Sequence, residues 1–97
     1  MIKHIVFWKI TEGIDKAKTI AEIIKRLTAL KGQIPGLIHI EAGADINGSP
    51  VAFDVALYSE FDSEEALAVY QDHPLHVDVK NYIGSVTSDR CVVDYSV

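Results

Sequence analysis

The stretch Tyr70–Lys80, YQDHPLHVDVK, sets His73 and His76 three residues apart around Pro74, with Tyr70 three residues before the first histidine. Another imidazole, His4, stands in KHIVFWK near the start of the chain. An imidazole titrates near neutrality, so it can take a proton from a carbon acid or give one to a carbonyl, while a tyrosine hydroxyl can hold a developing oxyanion. His76, Tyr70 and His4 are therefore candidates for a polar site that moves protons or holds a ligand. Neutral imidazoles also bind zinc or copper, but such sites normally add a carboxylate or thiolate, and a pair straddling a helix break lacks the one-face geometry of helical ligands. No metal site is expected.

Each residue also has a packing role that would account for it. His4 falls on an inward strand face and needs only a hydrogen-bond partner there. His73 is placed to cap the helix that Pro74 begins. His76 sits on an inward helical stripe three residues before Val79, where leucine would pack as well, which makes it the stronger chemical candidate. Trp8, Phe53 and Tyr58 read as core residues; Trp8 and Phe53, with His73, are also the expected lining of a ligand pocket, since such pockets are mostly apolar with a few converging polar groups. Asp54 and Asp94 lie inside strands and are expected to pair with Arg90 or Lys3.

These side chains must be positioned by an α+β framework. Residues 2–10 alternate as a strand, with Ile2, His4, Val6, Trp8 and Ile10 on one face and Lys3, Ile5, Phe7 and Lys9 on the other. Residues 15–31 place Ile20, Ile23, Ile24, Leu27 and Leu30 at helical spacing, and Gly32 follows as a C-cap. A second strand is expected near 37–44, a hairpin loop at ADINGSP and a third strand over 51–60. FDSEEAL opens a helix capped by Asp62 or Ser63. That helix should stop near Asp72, because a residue before proline is pushed out of the α region, and Pro74 suits the first position of the next helix. A last strand covers about 87–95. The order is β-α-β-β-α-β, the ferredoxin-like arrangement with a four-stranded antiparallel sheet.

Helices on one side leave the other sheet face open, and Ile5 with Phe7 makes it too apolar to stay wet. A homodimer through the open sheet faces is therefore expected, the more so because a 97-residue chain buries only about 60–70% of its unfolded surface alone. One domain spans 1–97. The net charge of −5 is spread along the chain with no basic stripe, which argues against nucleic acid as a partner. No stretch has the roughly 18 apolar residues of a membrane span, and the N-terminus lacks a signal-peptide cleavage site. A single cysteine, Cys91, reads as a buried thiol in a reducing compartment, and the protein as cytoplasmic.

KHIVFWK, the Tyr-x-x-His-Pro-x-His run within FDVALYSEFDSEEALAVYQDHPLHV, and the closing VVDY resemble the stress-responsive A/B barrel domain (Dabb) family over essentially the whole chain. The resemblance implies a ferredoxin-like α+β chain that pairs into a dimeric barrel. One branch of the family consists of plant polyketide cyclases, which close a linear polyketide by cofactor-free aldol condensation. In those enzymes the first-strand histidine, the tyrosine and the final histidine of the motif form the polar site, which on this chain implies His4, Tyr70 and His76. Two functional classes follow: a small-molecule enzyme with His76, Tyr70 and His4 as catalytic residues for cofactor-free acid–base chemistry on a carbonyl compound, and a non-catalytic, stress-related dimeric binding or protective protein in which the same trio ties helix to sheet.

Overall fold

The computed structural model describes residues 1–97. The chain runs β1 (Ile2–Ile10), α1 (Lys16–Thr28), β2 (Leu37–Ala44), β3 (Val55–Phe61), α2 (Glu64–Asp72), α3 (Pro74–Val86) and β4 (Thr87–Ser96). The strands form one antiparallel sheet in the order β2-β3-β1-β4, with Val6 opposite both Leu57 of β3 and Val92 of β4. This is the ferredoxin-like arrangement read from the sequence.

The helices cover one face. Ile23, Leu27 and Leu30 from α1 and the turn after it, and Val79 and Ile83 from α3, pack on Val6, Trp8, Ile40, Leu57 and Phe61 of the sheet. β1 is central and alternates buried with half-buried or exposed side chains, the pattern of a strand whose two faces meet different surroundings. Cover stops at β4: Arg90, Val92 and Asp94 share the helix-side face with Trp8, Val6 and His4 yet stay exposed.

Three elements differ in extent from expectation. α1 ends at Thr28, because Leu30 and Lys31 donate to Leu27 and Thr28 carbonyls in tightening turns; Ala29, not Gly32, is the C-cap. β3 begins at Val55 because Asp54 is drawn out of the ladder's alternation: its amide reaches the Trp8 carbonyl, and its carboxylate accepts from the Ile10 amide at 2.7 Å and lies 3.4 Å from Lys16 Nζ. The expected pairing of Asp54 with Arg90 or Lys3 is thus replaced. β4 runs one residue further, to Ser96.

Ser63 rather than Asp62 caps α2, accepting from the Ala66 amide at 3.1 Å. His73 closes α2 and opens α3 at once, with extended backbone (ψ 132°) and Nδ1 accepting from the Leu75 amide at 3.2 Å. Pro74 occupies the first turn of α3, where its missing N–H costs no hydrogen bond. At the start of β2, Gly36 adopts φ +81°, and a β-carbon there would sit 2.5 Å from Ala66 Cβ, so β2 and α2 meet at a point only glycine permits.

Candidate active site

The break at His73–Pro74 turns the chain so that Tyr70 at the end of α2 and His76 in the first turn of α3 stack face to face, their ring centroids 3.8 Å apart and nearly parallel at 25°. Tyr70 is wholly buried; its ring also meets Phe61 at 4.9 Å and the edge of His4 at 6.1 Å. Tyr70, His76 and His4 are therefore one cluster, brought together from α2, α3 and β1.

His4 has a partner that the sequence pattern assigned elsewhere. Its Nδ1 lies 2.5 Å from Asp94 Oδ1 of β4, directly opposite in the β1–β4 register. An ionised carboxylate only accepts, so Nδ1 carries the proton it donates, and Nε2 keeps its lone pair. Asp94 thus fixes the tautomer of His4 instead of pairing with Arg90 or Lys3. The clue available in the sequence was an acid on the inward side of a strand, two residues after Val92.

Beside this cluster, where the helices leave β4 uncovered, lies a cleft of about 500 Å³. His4, His76 and Asp94 reach it over an apolar floor that includes Trp8, Leu57 and Ile83; Gln71 and the solvent-exposed Lys80 and Arg90 also line it. Its volume lies in the range of small-molecule sites. Tyr70 is not among the lining residues: its hydroxyl is enclosed and has no hydrogen-bond partner, and neither has Nδ1 of His76. Burial pushes the Tyr70 hydroxyl well above its ordinary range. Burial also lowers His76 to about 4, helped by the positive charge of Lys80 and opposed by the nearby Gln71 and Tyr70 carbonyls, neither of which meets Nδ1 in hydrogen-bond geometry. His76 is accordingly a neutral imidazole at physiological pH.

Two of the expected pocket residues lie elsewhere. His73 is occupied as the helix cap and faces a shallow surface depression with Asp72 and Pro74. Phe53 stands on the open side of the sheet, 6.1 Å from Phe7 and beneath the Lys9 ammonium, because the turn before β3 folds it onto the face opposite the helices. There it borders a broader concavity of about 760 Å³ with Val51, Tyr58 and Cys91. Tyr58 is likewise no core residue: Lys3 Nζ donates to its hydroxyl at 2.7 Å, and the hydroxyl donates to Glu60 at 2.5 Å. Cys91, expected to be buried, is exposed, since its position opposite Phe7 turns it to the open face. No group of three or more His, Cys, Asp or Glu side chains gathers into a possible metal site, and no helix is long and apolar enough to cross a membrane.

The family model of the stress responsive A/B barrel domain matches residues 2–97. An uncharacterized protein of Streptomyces coelicolor is 36% identical over 78 residues, covering 78% of this chain and 79% of that protein. A stress-response A/B barrel domain-containing protein of Arabidopsis thaliana is 34% identical over 97 residues, covering 98% of this chain, although this chain spans only 36% of that protein's length. Among solved structures, a dimeric ferredoxin-like protein of unknown function from Bacteroides fragilis superposes with a TM-score of 0.89 at 29% identity, covering 99% of this chain and 95% of that one. A hydroxynitrile lyase from Passiflora edulis shares the fold at a TM-score of 0.86 and 20% identity, covering 99% of this chain and 92% of that one. With the sequence matched from end to end and the fold shared with dimeric relatives, this chain belongs to the stress-responsive A/B barrel domain family.

Proposed function

We propose that the cleft between α3 and β4 binds a small, partly apolar carbonyl compound, and that the residues around it carry out cofactor-free acid–base chemistry on it. The observation that carries this reading is the His4–Asp94 pair at 2.5 Å, set beside a neutral His76 in a cleft with an apolar floor. A carboxylate behind one imidazole nitrogen orients the ring and supports the cation formed when the other nitrogen takes a proton. In this reading His4 takes the proton from the carbon next to the carbonyl, and the electron pair of the broken C–H bond moves to the carbonyl oxygen as an enolate. The neutral ring of His76 donates a hydrogen bond to that oxygen. Tyr70, enclosed as it is, serves as a positioning residue: its ring holds His76 in place, which departs from the expectation that its hydroxyl meets the oxyanion.

A homodimer through the open sheet face belongs to the same proposal, supported by the dimeric state of related structures and by the apolar face itself. The second reading, a non-catalytic binding or protective protein, draws on the enclosed Tyr70 hydroxyl, which no ligand in the cleft would touch.

Hydrogen–deuterium exchange at the carbon next to the carbonyl of 4-phenyl-2-butanone, followed by NMR in D2O, tests the chemistry. Exchange should be accelerated by the protein and fall about 100-fold or more in His4→Gln and Asp94→Asn. Binding without accelerated exchange would leave the non-catalytic reading standing.

A further inference from the structure

The chain as a whole carries a net charge of −5, yet the cleft is an exception to that balance. Its charged lining consists of two permanent cations, Lys80 and Arg90, against one carboxylate, Asp94. That carboxylate is engaged by His4. The chain's five ion pairs are Lys3–Glu60, His4–Asp94, Lys16–Asp54, Arg26–Glu22 and His39–Glu41, so neither Lys80 nor Arg90 is neutralised by a neighbour.

Their placement is dictated by the elements. Lys80 follows His76 by four residues and so lies one turn further along the same side of α3. Arg90 is opposite Trp8 in the β1–β4 register and on the same strand face as Asp94. The two cations therefore come from opposite walls of the cleft, α3 and β4, with the apolar floor between them. The charge on Lys80 is felt at the ring of His76, so it acts on the inside of the cleft and not only on the solvent beyond it.

We infer that the molecule bound in this cleft is an amphipathic anion: an apolar body on the Trp8–Leu57–Ile83 floor and a carboxylate or similar group held at the rim by Lys80 and Arg90. This deepens the proposed function, on which it rests, by adding an acidic group to the carbonyl compound. Arginine can meet a carboxylate with two parallel N–H donors, while lysine supplies a point charge, so together they select charge and orient it towards the rim. The reacting carbon is thereby directed inward, to His4 and His76.

The chain's single tryptophan, Trp8, lies in the cleft floor, and its fluorescence reports occupancy directly. The probes are 4-butylbenzoate and its uncharged counterpart 4-butylbenzamide, titrated into wild type and into the variant carrying Lys80→Gln and Arg90→Gln. Both substituted residues are exposed, so circular dichroism should show an unchanged fold. The carboxylate should bind wild type at least about tenfold more tightly than the amide in low salt, and the preference should shrink towards unity in about 0.5 M salt and in the double variant. Equal binding of acid and amide, or a preference that survives in the double variant, overturns the anion inference while leaving the cleft as a binding site. Failure of both probes to change Trp8 emission removes the binding reading and this inference with it.

Discussion

Tyr70 and His76 each bury a polar atom that nothing in the chain satisfies, Oη in one and Nδ1 in the other. A stranded hydroxyl costs stability, so Tyr70→Phe should leave the protein as stable as wild type or stabilise it by up to about 1 kcal/mol, read from urea denaturation. A loss of more than that would show that the hydroxyl has a partner. His76 gives a pH signature. Its folded-state value, about 4, lies below the ordinary 6.5, so the unfolded chain binds the proton more readily. Its contribution is therefore present in full above pH 6.5 and is lost as pH falls from 6.5 through about 4. The loss should be of order 1–2 kcal/mol, less than the full shift implies because water reaches the cleft side of the ring. His76→Gln should flatten the melting temperature over that pH window; an unchanged slope would assign the acid sensitivity to other groups. Tyr70 and His76 were legible from sequence because a short segment and one proline bring them together locally. Asp94 was not, since it meets His4 across 90 positions and only the β1–β4 register pairs them.

The elements themselves were readable where period and punctuation agreed. The alternation of β1, the apolar stripe of α1 and the His73–Pro74 break all stand as expected, because each is set by the residues of its own segment. The start of β3 was not readable, because Asp54 answers to the Ile10 amide and Lys16, groups distant in sequence. Phe53 was misplaced for the same reason: whether a turn residue folds over or under a sheet depends on tertiary packing. The contact between β2 and α2 makes a sharper test. Gly36→Ala would combine a positive φ with a collision against Ala66, and should destabilise by about 2–3 kcal/mol. Ala66→Gly in the same chain should recover the part due to the collision and none of the part due to φ; no recovery at all would mean that the helix simply yields.

At the scale of the molecule, the sheet face away from the helices exposes Phe7, Val93 and Tyr95 beside half-buried Ile5. The Lys3–Tyr58–Glu60 chain on it is already paired internally, so a partner could cover these three groups without stranding a charge. In the proposed dimer this face buries roughly 800 Å² per subunit or more. Phe7→Asp should accordingly give a monomer, or a poorly folded chain, in sedimentation at micromolar concentration; a well-folded dimer would place the interface elsewhere. The strand β4, which walls the cleft and carries Asp94 and Arg90, leaves the ribosome after every other element of this fold, and until it docks, β1 has an open edge and a bare apolar floor. Such a nascent chain is prone to sticky encounters, and it has neither the carboxylate that orients His4 nor one of the two cations at the rim. Under the proposed function, reactivity and completeness are thereby coupled, since an unfinished polypeptide has the histidines but lacks the groups that would put them to use.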